Sequence, residues 1–297
     1  NAKRMTHAIY LENKDVITIP SKIGSYAHKT NHLIILDYPG HAYFGGQIER
    51  VLRMAAVEVM LVDVKEGPMP QTFFVVKKAL AANLPILVVI NKIDKPGARP
   101  EWGIDTVVDL LVRLNAPEET LDFTVVYASA KEGYANSDRN DTLTKETGMD
   151  VISEMIVNHV QPPAGAPDES LQLQINTIDY SPYLGRLGIG KLVNGTISIN
   201  DNVVVARRDG SIKPIRVTKI FRFEADQQVP VESATTGEIV AVAGMDDVTV
   251  GVTFTDPDNP KPLPLIQINP PTISMNFIPT DSPFAGLDGN SGTTRHL

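Results

Sequence analysis

Four continuous aliphatic runs, spaced through residues 31–160 and separated by amphipathic stretches, restrict this chain more than any other feature. They are His32-Leu33-Ile34-Ile35-Leu36-Asp37, Val59-Met60-Leu61-Val62-Asp63, Pro85-Ile86-Leu87-Val88-Val89-Ile90 and Phe123-Thr124-Val125-Val126-Tyr127-Ala128. None alternates apolar with polar residues. A strand carries an unbroken apolar run when both of its faces are covered, which is the condition of a parallel sheet with helices on each side. Helical patterns fill the gaps, at residues 47–56, 72–82, 104–114 and 151–160. Strand followed by helix, repeated, predicts a doubly wound α/β sheet with all four runs as buried strands.

The pattern changes after residue 160. Gln161-Pro162-Pro163-Ala164-Gly165-Ala166-Pro167 reads as a linker by its proline content. Beyond it, short alternating strands such as Thr196-Ile197-Ser198-Ile199 are broken by Asn200-Asp201-Asn202 and by the hairpin signal Asp209-Gly210. This predicts a small antiparallel β-barrel. A second proline-rich stretch, Pro257 to Pro271, precedes Thr272-Ile273-Ser274-Met275-Asn276-Phe277, which reads as the first strand of a third domain. The expected boundaries are 1–161 for the α/β domain, 162–169 for the linker, 170–258 for the barrel, and 259–297 for a linker and the start of a third, α+β domain.

Composition narrows the function classes. A net charge of -8 argues against a protein that holds nucleic acid by bulk attraction to phosphate. There are no cysteines, so disulfides and thiolate metal sites are excluded, and a reducing compartment is the expectation. No apolar run approaches the ~20 residues that span a bilayer, so no membrane partner is expected. The opening Asn1-Ala2-Lys3-Arg4-Met5-Thr6-His7 has no secretory character, and the chain reads as a fragment truncated at both ends.

Three short motifs carry chemistry, each at the end of a core run. Asp37-Tyr38-Pro39-Gly40-His41 suits a nucleotide hydrolase: Asp37 holds Mg²⁺ through water, Gly40 lets a backbone N–H reach a γ-phosphate, and His41 orients the attacking water. The plain alternative is a capping aspartate before a Pro-Gly turn. Asn91-Lys92-Ile93-Asp94 is sharper. A carboxylate here accepts the N1–H and 2-amino hydrogens of guanine, donors that adenine lacks, while Asn91 ties loops together and the stem of Lys92 lies over the base. The alternative is an Asx-rich turn before Pro96. Ser129-Ala130-Lys131 completes the set, with a backbone N–H for the guanine O6. By contrast, Gly185-Arg186-Leu187-Gly188-Ile189-Gly190-Lys191 matches G-x-x-x-x-G-K, but Leu192 stands where Ser or Thr must meet Mg²⁺, and no helix follows. It reads as structural glycine. Among the histidines only His41 has a motif context, and Glu118-Glu119 and Asp246-Asp247 read as solvated surface.

These motifs, with Phe44-Gly45-Gly46-Gln47-Ile48-Glu49-Arg50-Val51, Gly67-Pro68-Met69-Pro70-Gln71-Thr72, Lys95-Pro96-Gly97-Ala98-Arg99-Pro100 and Asp179-Tyr180-Ser181-Pro182-Tyr183-Leu184-Gly185, resemble the BipA/TypA family of ribosome-associated translational GTPases. Ser282-Pro283-Phe284-Ala285-Gly286 resembles the start of that family's third domain. The resemblance runs from about Leu11 to the end. It implies an incomplete P-loop-type G domain followed by the β-barrel of translation factors, and a cytoplasmic GTP hydrolase whose nucleotide state governs ribosome binding. It further implies roles in translation regulation, ribosome assembly and stress adaptation, GTP or GDP as ligand, and Mg²⁺ as cofactor. Carried over residue by residue, it puts Asp37 and Thr18 on Mg²⁺, Gly40 on the γ-phosphate, His41 on the water, and Asn91, Lys92, Ile93, Asp94, Ser129 and Ala130 on the guanine base. Contacts to ribosomal RNA and ribosomal proteins are implied largely for domains outside this chain. Two departures stand beside the γ-phosphate: Asp15-Val16 where the family has Arg-Gly, and Tyr38 where it has Thr. The 297 residues also hold no G-x-x-x-x-G-K-[ST]; the resemblance puts that loop after a strand lying between the one ending at Asp37 and the one around Val59 to Asp63. The alternative function is therefore a nucleotide-free, non-catalytic module that contacts the ribosome or another factor.

Overall fold

In a computed structural model of the chain, residues 21–38, 45–138 and 148–266 are described, apart from Pro182, Arg208, Asp226 and Asp246. Thr18, Gly40, His41 and the start of the third domain lie outside the described residues.

Three of the four aliphatic runs form the expected parallel sheet. Strands β3 (Glu58–Asp63), β4 (Ile86–Asn91) and β5 (Val125–Ser129) are parallel, and the short β6 (Tyr134–Asn136) closes the far edge antiparallel to β5. Alternate residues serve opposite faces. Met60, Val62, Val88 and Ile90 pack with Val76 of α2 (Pro70–Ala81) and with Val107, Leu110 and Leu111 of α3 (Pro100–Arg113). Leu87, Val89, Val126 and Ala128 pack on the other side with Met155 of α5 (Asp150–His159). β4 lies between two neighbours and under helices on both faces, so Ile86 to Ile90 are all buried. Helices α2 and α3 begin before the apolar periodicity does, because Pro70 and Pro100 occupy the first helical turn, where a missing N–H costs nothing. Helix α1 (Gly45–Leu52) precedes β3, and α4 (Glu118–Leu121) is a single exposed turn.

The first run is the exception. Asn31–Asp37 (β2) is not a buried strand of the parallel sheet; it pairs antiparallel with Lys22–His28 (β1) in a separate hairpin, and Ile35 is half exposed. The reason is the neighbour it has. No described strand lies between β2 and β3, so the second edge of each is without a ladder, and Leu61 of β3 is also exposed. A cleft of about 940 Å³ separates them, lined by residues 31–38 of the hairpin and 54–61 of the α1–β3 region. The hairpin packs its apolar side instead on the second half of the chain. Ile23, Ile34 and Leu36 meet Leu187, Ile189, Phe223 and Ala241, and the Ser25 and Ala225 backbones exchange hydrogen bonds.

That second half is antiparallel throughout. After a stretch without helix or strand at residues 161–170, strands β7 (Gln172–Ser181), β8 (Gly185–Asn194), β10 (Asn202–Ala206), β11 (Ile212–Arg216), β12 (Lys219–Glu224), β13 (Gln227–Val231), β15 (Ile239–Ala243) and β16 (Thr253–Thr255) form one sheet. Its order is β11-β10-β16-β7-β8-β15-β12-β13, with a small pair, β9 (Thr196–Ser198) and β14 (Ser233–Thr235), beside it. The barrel is therefore not closed, since β11 and β13 do not pair with each other. The sheet nevertheless curls round one core, in which Leu173, Ile175, Leu192, Ile220, Val240 and Phe254 are fully or almost fully buried.

The glycine string in this half is structural, as its sequence context predicts. It forms β8, hydrogen-bonded to β7 on one side and to β15 on the other, with Leu192 in the core. At Gly190 a Cβ would lie 1.9 Å from the Gln174 carbonyl oxygen, where β7 bulges. Gly190→Ala is expected to destabilise the protein by about 1–3 kcal/mol, because backbone must move to admit the methyl group. An unfolding midpoint unchanged in urea would overturn this account.

Candidate guanine-base site

Three loops converge at the carboxyl ends of β3, β4 and β5, the edge where open α/β sheets present their ligand-binding groups. The register makes this unavoidable: Asp63 is level with Asn91, and Asn91 with Ala128. Asn91 joins two of the loops. Its Oδ1 accepts the Lys92 N–H at 2.8 Å and the Ala130 N–H at 3.1 Å, while the Ile93 N–H reaches the Ala128 carbonyl at 3.3 Å. The turn this imposes puts Lys92 in the left-handed region at φ 65. Asn91 thus ties the loop after β4 to the loop after β5.

Asp94 is fixed from the next loop. The Ser129 hydroxyl, itself fully buried, donates to Asp94 Oδ1 at 2.6 Å, and the Glu132 N–H donates to the Ser129 hydroxyl oxygen at 3.3 Å. The Ser129 hydrogen bond, with Lys131 and Lys95 nearby, holds the Asp94 carboxyl below the usual carboxylate range. At neutral pH this group is therefore a charged acceptor, which suits it to a ligand edge that offers paired N–H donors.

One member of the cluster carries no motif signature. Asp63 ends β3 and accepts hydrogen bonds from Lys92 Nζ at 2.6 Å, Lys95 Nζ at 3.3 Å and the Lys65 N–H at 2.8 Å. Burial pushes its carboxyl up, but the Lys92, Lys65 and Lys95 hydrogen bonds together outweigh that and hold it well below the usual range. The same bond pushes the Lys92 ammonium up. The loop continues into Gly67, at φ 68, whose N–H donates to the Asp63 carbonyl at 2.8 Å. There the backbone lies so close to Trp102 of α3 that a Cβ would sit 3.0 Å from the indole. The Arg99 guanidinium covers the same ring at 4.1 Å from its centroid. A signal for Asp63 does exist in the sequence: like Asn91, it is the polar residue that ends an aliphatic run.

Asp37 sits elsewhere, at the end of β2 in the hairpin, with Lys22 as its cross-strand neighbour. Next to it, the Tyr38 hydroxyl donates to Glu58 Oε2 at 2.6 Å. Burial pushes the Tyr38 hydroxyl far up, with the Glu58 charge adding to it, and burial also raises the Glu58 carboxyl. Tyr38 thus anchors the end of the hairpin to the start of β3. Among the described residues no group of three or more His, Asp or Glu side chains could hold a metal ion, and no helix is long and apolar enough to cross a membrane.

Residues 1–162 match the elongation factor Tu GTP binding domain, and residues 185–255 match elongation factor Tu domain 2. Among curated proteins, the chain is 44% identical over 296 residues to the large ribosomal subunit assembly factor BipA of Bacillus subtilis, covering 100% of this chain and 48% of that protein. It is 45% identical over 287 residues to the protein of the same name from Synechocystis, covering 97% and 48%. The chain thus spans about half the length of these relatives. Among solved structures, it is similar in fold to the elongation factor SelB from Methanococcus maripaludis in complex with the GTP analogue GppNHp, at a TM-score of 0.62 and 20% identity, covering 82% of this chain and 50% of that one. A bacterial selenocysteine-specific elongation factor gives a TM-score of 0.65 at 20% identity, covering 85% and 41%. With an elongation factor Tu-type GTP-binding domain over more than half its length and domain 2 after it, the chain belongs to the translational GTPases, among relatives named BipA.

Proposed function

We propose that the protein binds and hydrolyses GTP, and that its nucleotide state governs association with the ribosome during assembly of the large subunit. The observation that carries this reading is the cradle of Asn91, Asp94, Ser129 and Ala130, two loops tied by side-chain bonds into one edge that suits guanine. Asp94 accepts the N1–H and 2-amino hydrogens, the stem of Lys92 covers the ring, and the Ala130 side of the third loop faces O6, with Ile93 held by backbone pairing to β5. Asp37 and Thr18 would hold Mg²⁺; the Asp37 carboxylate is the hard oxygen donor that this ion takes, with water and phosphate oxygens supplying the rest. Bound there, the ion neutralises charge on the β and γ phosphates. Gly40 leaves room at the γ-phosphate and His41 orients the attacking water. Action in the cytoplasm, a part in stress adaptation, and contacts with ribosomal RNA and proteins belong to the same reading.

A second reading rests on the cleft between β2 and β3. It makes this polypeptide a nucleotide-free module that contacts the ribosome or another factor. Base choice separates the two in a form of the chain that carries a phosphate loop. There Asp94→Asn is expected to weaken GTP by about tenfold to a hundredfold, through an unpaired donor worth roughly 1–3 kcal/mol. The same substitution should favour xanthosine triphosphate, which offers a carbonyl at that edge, in competition with GTP and ATP. Unchanged preference would remove Asp94 as the reader of the base.

A further inference from the structure

We propose that Asp63 is a positioning residue for the nucleotide base: by gripping the Lys92 ammonium it fixes the lysine stem as the wall on which the purine ring lies. The inference rests on the guanine reading above and extends it to a residue outside the three motifs. Lys92 is held at both ends. Its backbone N–H is bound to the Asn91 side chain, and its ammonium to Asp63 Oδ2 at 2.6 Å. Between these anchors the four-carbon stem, otherwise one of the most mobile of side chains, is restrained to bridge the carboxyl ends of β3 and β4. The far anchor is rigid. Asp63 is the last residue of a strand in ladder with β4, its side chain is one-tenth exposed, and the Lys65 N–H restrains its second oxygen. Lys92, by contrast, is about half exposed, and its ammonium is held by the hydrogen bond to Asp63, with the Glu66 charge a lesser attraction. Lys95 shares the carboxylate at 3.3 Å, so neutralising Asp63 also leaves two ammonium groups side by side. A site preorganised in this way gains affinity because less motion is lost on binding.

A stem lying on the face of a purine does not distinguish one base edge from another, and this gives the proposal its own signature. In a form of the chain that carries a phosphate loop, Asp63→Asn is expected to weaken GDP about tenfold. On an Asp94→Asn background it should weaken xanthosine diphosphate by the same factor. Asp63→Glu, which keeps the charge, should recover most of the loss. On a Lys92→Met background, which keeps the stem but removes the ammonium, Asp63→Asn should add nothing. GDP affinity within twofold of the parent in Asp63→Asn would overturn the proposal, as would full additivity with Lys92→Met. If Asp63→Asn does not fold, Lys92→Met alone decides: a loss of about tenfold supports the proposal and none refutes it. Failure of the guanine reading looks different, as an Asp94→Asn variant whose preference among bases does not change.

Discussion

Titrated with labelled GTP, a polypeptide of these 297 residues is expected to bind no tighter than about millimolar, although its base-side loops are formed. Affinity for a nucleoside triphosphate comes chiefly from its phosphates, which need a helix N-terminus and a lysine aimed at them. The one G-x-x-x-x-G-K string in the chain is spent in strand β8, where burial pushes the Lys191 ammonium down and no helix follows. Losing three charge-assisted hydrogen bonds at roughly 1.5–3 kcal/mol each costs about 5–9 kcal/mol. A micromolar site is worth roughly 8 kcal/mol, so little remains. Limited proteolysis of the same material should cut the first half before the barrel sheet, because among the described residues β2 and β3 each present an edge without a ladder to the cleft between them. Micromolar binding would refute the first expectation, and equal resistance of the two halves the second.

The other large effect concerns chemistry. In a form that carries a phosphate loop, His41→Ala is expected to lower ribosome-stimulated turnover by about 10²–10⁴-fold while GTP affinity stays nearly constant. An oriented water matters in the transition state and hardly at all in the ground state, so the loss falls on kcat rather than on binding. Turnover within roughly twofold of the parent would leave His41 as an ordinary turn residue.

What could be read from residues alone follows a physical division. β4 was legible because Ile86 to Ile90 are apolar on both faces, a composition that suits a strand covered twice. Asn91, Asp94 and Ser129 were legible because each follows an aliphatic run by a fixed step, and the sheet brings the ends of its strands together. His32 to Asp37 has the same composition as β4 yet is not a buried strand, because burial depends on a neighbour and composition does not say which neighbour is present. Closure of the barrel is not legible for a similar reason: alternation establishes antiparallel strands, but whether β11 meets β13 depends on how far the sheet curls. Asp63 escaped motif reading because its partners, Lys92 and Lys95, are 29 and 32 residues away and declare themselves only in three dimensions. The hairpin's seat on the second half, where Ser25 meets Ala225, spans a still longer separation.

The packing of Gly67 against Trp102 has an optical consequence. This is the sole tryptophan of the chain, so its emission belongs to one place, the indole wedged between the Arg99 guanidinium and the loop that begins at Asp63. A cation on the ring face and backbone at its edge set the polarity that the excited indole experiences. Any rearrangement that lifts residues 63–67, by a ligand or by a substitution, alters that polarity and so the colour and yield of the light. The protein thus carries, without added label, a built-in fluorophore beside the wall of its proposed base pocket.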